Sequence, residues 1–301
     1  MQIFNSIDEL RSLRQPIHWA MGFFDGVHVG HQRVILSADT RGALRGVLTF
    51  CTHPLALLRP EQQPPLLTPD AAYKAQLLST TGADVLLCLP FTPEFAAQSP
   101  AEFLDALGAA CRVAGISVGE NWRFGRGGSG TPALLRQEGA ARGFRVCACD
   151  LAMVGFRPVS SSRIRAALQA GELEEVGAML GRPFAITGTV EHGQHLARQL
   201  GFPTANISGL EHAALPPFGV YQVHCRLGAT SLSGIANLGL RPTIDEQQKI
   251  PRLEVHFPGW QGDLYGHHLV VELRRFLRPE QPFPGLAALR EQIQRDIDSL
   301  R

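Results

Sequence analysis

The run Met21-Gly22-Phe23-Phe24-Asp25-Gly26-Val27-His28-Val29-Gly30-His31-Gln32 decides the reading of this chain. An apolar stretch, residues 17–21, precedes it and reads as a first strand. Gln32-Arg33-Val34-Ile35-Leu36 follows and reads as the start of a helix. The two histidines therefore fall at a strand-to-helix turn, and open α/β sheets bind ligands outside the carboxyl ends of their strands. Gly22, Gly26 and Gly30 remove side chains, so backbone N–H groups can approach a ligand closely. The helix start adds unpaired donors and the positive end of a dipole. His28 and His31 can then both point at one phosphate chain, as donors or as cations. Two other readings compete: a metal-binding pair, for which no third Cys, His or Asp stands nearby at a recognised spacing, and a satisfied structural pair.

Outward from this turn, residues 1–180 alternate apolar runs with helical patterns. Strands are expected over 17–21, 46–50, 84–89, 116–118 and 144–148, and helices around 32–40, 70–80, 101–114 and 132–142. One further helix is expected over roughly 162–180. That alternation predicts a Rossmann-like α/β unit with a parallel sheet. From residue 183 helical periodicity nearly vanishes. Short β-like runs at 184–191, 219–226, 234–237, 252–257 and 269–273, separated by Gly, Pro and Asn, predict a small barrel or sandwich. An amphipathic helix over 286–300, with Leu289, Ile293 and Ile297 on one stripe, closes the chain. The boundary is placed at Gly181-Arg182-Pro183, giving domains of 1–182 and 183–301.

The 301 residues are 45% hydrophobic and 18% charged, enough apolar material for full cores. A net charge of +1 offers no basic field for nucleic acid or an anionic membrane. Lys74 and Lys249 are the only lysines, and no G-x-x-x-x-G-K-[ST] occurs, which excludes a P-loop. The six cysteines, Cys51, Cys88, Cys111, Cys147, Cys149 and Cys225, form no C-x-x-C pair and are expected as reduced, buried thiols. Cys147 and Cys149 are expected on one strand face. Residues 1–16 lack an apolar leader and no stretch reaches spanning length, so a soluble, cytoplasmic protein is expected.

Four more segments carry chemistry. Phe50-Cys51-Thr52-His53-Pro54 follows the second strand, and Gly119-Glu120-Asn121-Trp122-Arg123-Phe124-Gly125 follows the strand at 116–118. Ser160-Ser161-Ser162-Arg163-Ile164-Arg165 opens a helix, and a cation in its first turn opposes the dipole unless an anion binds there. In Leu200-Gly201-Phe202-Pro203-Thr204-Ala205-Asn206, Thr204 and Asn206 offer neutral hard oxygens suited to Mg²⁺. Glu254, mid-strand between Leu253 and Val255, is either salt-bridged or functional.

These segments, in this order, resemble the bacterial bifunctional riboflavin kinase/FMN adenylyltransferases. The 21–32 run resembles the HxGH signature of nucleotidylyltransferases, and 200–206 resembles the riboflavin kinase signature. The resemblance implies an α/β nucleotidylyltransferase domain followed by a small β-barrel kinase domain with a terminal helix. It also implies ATP-dependent conversion of riboflavin to FMN and then of FMN to FAD, with Mg²⁺. By resemblance, His28, His31 and Arg163 stabilise charge in adenylylation. Gly22, Phe23, Asp25, Gly26, Gly30, Ser161 and Ser162 hold that ATP, and Phe50, Pro54, Asn121 and Phe124 hold the flavin. In the kinase half, Glu254 is the general base. Gly188, Gly193, Gly201, Pro203, Thr204 and Asn206 hold Mg-ATP, with Thr204 and Asn206 as metal ligands. Asn237, Arg241 and Arg278 hold riboflavin. The chain departs from the family pattern at Cys51, Thr52, Gly128, Thr131 and Ala197. A kinase with an impaired adenylylating half, or a flavin-binding protein that turns nothing over, are the alternative readings. Small-molecule substrates are expected, with no nucleic acid or membrane partner and transient homo-oligomerisation.

Overall fold

The computed structural model describes residues 1–191, 201–241 (Arg241 by its backbone alone) and 250–300. They divide into two compact units, Met1–Ser161 and Ser162–Arg301.

The first unit runs β1 (Gln2–Phe4), β2 (Ile17–Met21), α1 (Val29–Leu36), β3 (Leu44–Phe50), α2 (Pro54–Leu58), α3 (Ala71–Ser79), β4 (Val85–Leu89), α4 (Pro93–Ala97), α5 (Pro100–Ala110), β5 (Val113–Gly119), α6 (Pro132–Arg142) and β6 (Arg145–Cys149). A short hairpin, β7 (Met153–Val154) with β8 (Arg157–Pro158), comes next. The main sheet is parallel, in the order β1-β4-β3-β2-β5-β6. All five residues of β2 are buried, as a central strand covered on both faces requires. Trp19 takes its room from Gly46 on β3, where a Cβ would come within 2.5 Å of the indole. From β2 the chain winds one way through β3 and β4, then returns to β5 on the other side. The β2/β5 crevice is therefore the topological switch point, where such sheets bind ligands. The predicted strands and crossover helices are present; β1 carried no signal beyond its three residues.

The second unit opens with α7 (Ser161–Gln169) and α8 (Leu173–Leu180). The single helix expected over 162–180 is two, broken at Gly171, whose φ of 81° leaves the right-handed helix. A closed antiparallel barrel succeeds them, β9 (Ala185–Glu191), β10 (Ala205–Ile207), β11 (Gly219–Leu227), β12 (Thr230–Arg241), β13 (Ile250–His256) and β14 (His268–Arg278), in the order β10-β13-β12-β11-β14-β9. Closure removes the exposed edges a sandwich would keep, so barrel is the correct choice of the two readings. Inward residues such as Tyr221, Val223, Leu238, Leu253, Val255 and Val271 fill it. Helix α9 (Leu286–Asp298) ends the chain. The units part at Ser161/Ser162, ahead of the 182/183 boundary read from sequence, because α7 and α8 group with the barrel rather than with the parallel sheet.

The thiol expectation needs one correction. Cys111, Cys149 and Cys225 are buried and all six cysteines are free, but Cys51 is exposed and Cys88 and Cys147 are half-buried. Cys51 sits just past the end of β3, where the sheet no longer covers it. No helix among the described residues is long and apolar enough to cross a membrane.

Candidate active sites

The turn after β2 is strained. Phe24 and the β-branched Val27 hold φ values of 56° and 40°, beside Gly26 at 81°, and such outliers persist only where the surroundings over-determine them. Both side chains are fully buried plugs. The buried Asp25 carboxylate accepts from the N–H groups of Leu67 and Thr68 at 3.1 and 3.0 Å, while Gly26 N donates to Thr68 Oγ1 at 3.0 Å. Ser161 Oγ donates to the Asp25 carbonyl at 3.0 Å, and Gly22 N to Leu48 O at 3.1 Å. The Asp25 carboxylate thus shapes the turn by holding these N–H groups. Ser162, next to Ser161, is exposed.

His28 caps α1, its Nδ1 accepting from His31 N at 3.2 Å, so that nitrogen carries no proton. The two rings stack at 3.5 Å, tilted 17°. Burial first, then His28 and Lys74, hold His31 well below the usual imidazole range. At neutral pH His31 is therefore uncharged, and of the donor and cation roles open to it only the donor survives. Its buried Nδ1 has no partner.

Lys74 on α3 belongs to this site and was missed as anything but a sign against a P-loop. Its signal was local: a lone lysine at a helical position between Tyr73 and Leu77, both buried. The ammonium donates to Phe23 O at 2.5 Å and to Thr49 Oγ1 at 3.1 Å, and lies 4.2 Å over the Phe23 ring. Burial pulls its pKa from 10.5 down to about 8, against the opposing pull of Cys88, Asp25 and Cys51. The unfolded chain keeps this proton up to about pH 10.5 and the folded one only to about 8, so stability rises with pH between those values. Lys74→Met is expected to raise stability at pH 7 by on the order of 1 kcal/mol and to abolish that rise, read by denaturant unfolding at pH 7 and 9.5.

Around the same sheet edge, Phe50 at the end of β3 packs on Phe91 and Phe95 at 5.1 and 5.3 Å. The chain of rings continues through Phe103 to Phe124, on which Trp122 stacks at 4.7 Å. Phe124 is buried within this cluster, whereas Trp122 is half-exposed and Asn121 exposed. Pro54 starts α2, capped by His53. Two departures from the family pattern have local reasons. Gly128 takes φ 67°, and Thr131 caps α6 by accepting from Leu134 N at 3.1 Å. Arg163, on α7, ion-pairs with Glu175 of α8 at 2.5 Å.

In the barrel, register decides the site. Asn206 on β10 pairs directly with Glu254 on β13, and Glu254 with Asn237 on β12. Three polar residues thus stand side by side on the outer face, while Leu253 and Val255 point inward. Two clefts meet there. One of about 430 Å³ is lined by Thr204, Asn206, Trp260, Asp263 and Tyr265. The other, about 330 Å³, is lined by Phe202, Thr204, Asn237, Glu254, Phe283 and Ile293 among others. Thr204 belongs to both. Arg252 Nη1 lies 3.5 Å from Glu254 Oε1, and Asn237 Nδ2 donates to Glu280 Oε1 at 3.0 Å. His256 holds the Pro203 carbonyl through Nδ1 at 2.8 Å. Arg278 locks α9 to β14 by clasping the buried Asp296 through Nε and Nη2, at 3.0 and 2.8 Å. Gly188 is required by close approach, since a Cβ there would meet Ser208 O at 2.7 Å, and Gly201 takes φ 90°. Gly193, Ala197 and the side chain of Arg241 lie outside the described residues. Among the described residues no group of three or more His, Cys, Asp or Glu could hold a metal. Thr204 and Asn206 fit instead a hard divalent cation that keeps water and phosphate oxygens as its other ligands.

Comparison with known proteins agrees across the chain. The FAD synthetase family model matches residues 11–163 and the riboflavin kinase model residues 180–301. A bifunctional riboflavin kinase/FMN adenylyltransferase from Pseudomonas fluorescens is 37% identical over 100% of this chain and 97% of its own length. That of Escherichia coli K12 is 38% identical over 92% of this chain and 89% of its own. A solved structure described as a macrolide-efflux protein from Streptococcus pneumoniae shares the fold at a TM-score of 0.84 and 25% identity, covering 98% of this chain and 97% of that one. ATP-dependent transfer of both kinds implies a divalent metal. The chain belongs to the bifunctional riboflavin kinase/FMN adenylyltransferases, enzymes that phosphorylate riboflavin to FMN and adenylylate FMN to FAD.

Proposed function

We propose that the two activities occupy the two sites described, adenylylation in residues 1–182 and riboflavin phosphorylation in 183–301. The observation that carries this reading is the pair of clefts sharing Thr204, one bearing Asn206 and the other Glu254. A more polar cleft suits a nucleotide, and an apolar one with a few convergent polar groups suits a flavin ring. Glu254 takes the proton from the terminal ribityl hydroxyl as the γ-phosphoryl group transfers. Thr204 and Asn206 hold Mg²⁺, which neutralises phosphate charge when bound. Gly188, Gly193, Gly201 and Pro203 bind Mg-ATP with them, and Asn237, Arg241 and Arg278 bind riboflavin.

For adenylylation, assigned to residues 1–182, FMN phosphate attacks the α-phosphorus of ATP and pyrophosphate leaves. His28, His31 and Arg163 stabilise the developing charge, the histidines as hydrogen-bond donors. Gly22, Phe23, Asp25, Gly26, Gly30, Ser161 and Ser162 form the ATP cradle. Phe50, Pro54, Asn121 and Phe124 hold the flavin. The enzyme works on small molecules in the cytoplasm, without nucleic acid or membrane, and self-associates transiently.

Purified protein incubated with riboflavin, ATP and Mg²⁺, beside a sample started from FMN, tests the reading by chromatographic separation of flavins. FAD is expected in both, with FMN appearing first in the riboflavin sample. FMN without FAD in either would restrict the chain to its kinase activity.

A further inference from the structure

Cys51 and Cys88 have no part in the two reactions, yet the fold brings them together. Strands β3 and β4 are neighbours, with Thr49 opposite Cys88 and Phe50 opposite Leu89. Cys51 extends this register, its N–H donating to Leu89 O at 2.9 Å. Side chains alternate along a strand, so Cys51 shares the face of Thr49, and Cys88 lies on that face too. The two sulfurs are 2.8 Å apart, within about 1 Å of bonding distance. Cys51 is exposed and Cys88 half-buried, so an oxidant meets the pair from solvent. The Lys74 ammonium, on Thr49 Oγ1, interacts electrostatically with both sulfurs. Cys51, the more exposed of the two, meets the oxidant first, and Cys88, whose thiol burial pushes up to about 12 with Cys51 adding to it, resolves. Cys147 and Cys149 differ: they are alternate residues of one strand, their sulfurs 3.8 Å apart.

We propose that Cys51 and Cys88 form a reversible disulfide site, closed by a low-molecular-weight disulfide such as oxidised glutathione, which suppresses FMN adenylylation and leaves riboflavin phosphorylation running. The Cys51 thiolate attacks one sulfur of the small disulfide, giving a mixed disulfide and expelling one small thiolate. Cys88 loses its proton to solvent and attacks Cys51 Sγ, expelling the second. Two protein thiols are oxidised and one small disulfide is reduced to two thiols. The bond ties the segment after β3 to β4 and so fixes Phe50 and the 51–54 loop. The effect on activity rests on the proposed flavin role of that segment, whereas the covalent step does not.

The reduced full-length protein is treated with oxidised glutathione, mapped by non-reducing peptide mass spectrometry, and assayed for both activities. A peptide pair joined through Cys51 and Cys88, with two hydrogens lost, is expected. Adenylylation should fall at least about tenfold, return with dithiothreitol, and leave phosphorylation unchanged. Cys51→Ser should form no link and keep its adenylylation under the same oxidant. Absence of the link in oxidised protein overturns the site itself. A complete link with undiminished adenylylation overturns the switch, and equal inhibition of Cys51→Ser places the effect elsewhere and overturns it too.

Discussion

Glu254→Gln is expected to lower FMN formation from riboflavin by about 10²- to 10⁴-fold, the usual contribution of a positioned general base, while FAD formation from added FMN continues unchanged. Gln keeps the volume and the hydrogen-bonding reach of Glu but cannot accept a proton. The side chain is 39% exposed in its cleft, and its neighbours Leu253 and Val255 carry the packing of β13. Stability should therefore move by no more than about 0.5 kcal/mol. Steady-state kinetics separates base from binder. Loss confined to kcat marks the proton acceptor, and a rise in KM at constant kcat would mark a residue that only holds substrate. If FMN formation survived within about threefold, the general-base role would be wrong.

Replacing His28 and His31 together by Ala is expected to do the reverse, removing about 10²- to 10³-fold or more of FAD formation and sparing FMN formation. Here the structural cost is larger, because His28 caps α1 and an Ala there forfeits about 1 kcal/mol. His28→Asn keeps an acceptor for His31 N and so separates the cap from the chemistry. It should restore the melting temperature without restoring activity. His31 is held neutral by burial and its neighbours, so in the proposed mechanism it can act only by donating hydrogen bonds. FAD formation should accordingly show no loss as pH rises through the ordinary imidazole range, which a pH–rate profile checks. Loss of both activities from a folded double variant would overturn the assignment of separate sites.

Much of this enzyme was legible in the chain because the informative features are local. A preceding strand, then glycines and two histidines within twelve residues, define the turn at 21–32. Alternation of strand and helix predicts the parallel sheet, and Pro203 ahead of the small polar residues Thr204 and Asn206 marks the kinase segment. Glu254 stood out because a carboxylate between two core residues must have a reason. Local signals were overlooked at the lone Lys74 and at Gly171, which split a predicted helix in two. The part that the tertiary structure decided rests on strand pairing between distant residues. Asn206, Glu254 and Asn237 become neighbours through the register of β10, β13 and β12, and a slip of one residue would turn each to the other face. Lys74 reaches Phe23 and Thr49 only because α3 packs beneath the turn. The Asp25 carboxylate holds the turn through Leu67 and Thr68. The meeting of Cys51 and Cys88 depends on β3 and β4 lying side by side. Local spacing sets which elements form and which residue types they carry; the order and register in which long-range contacts assemble them set which of those residues touch.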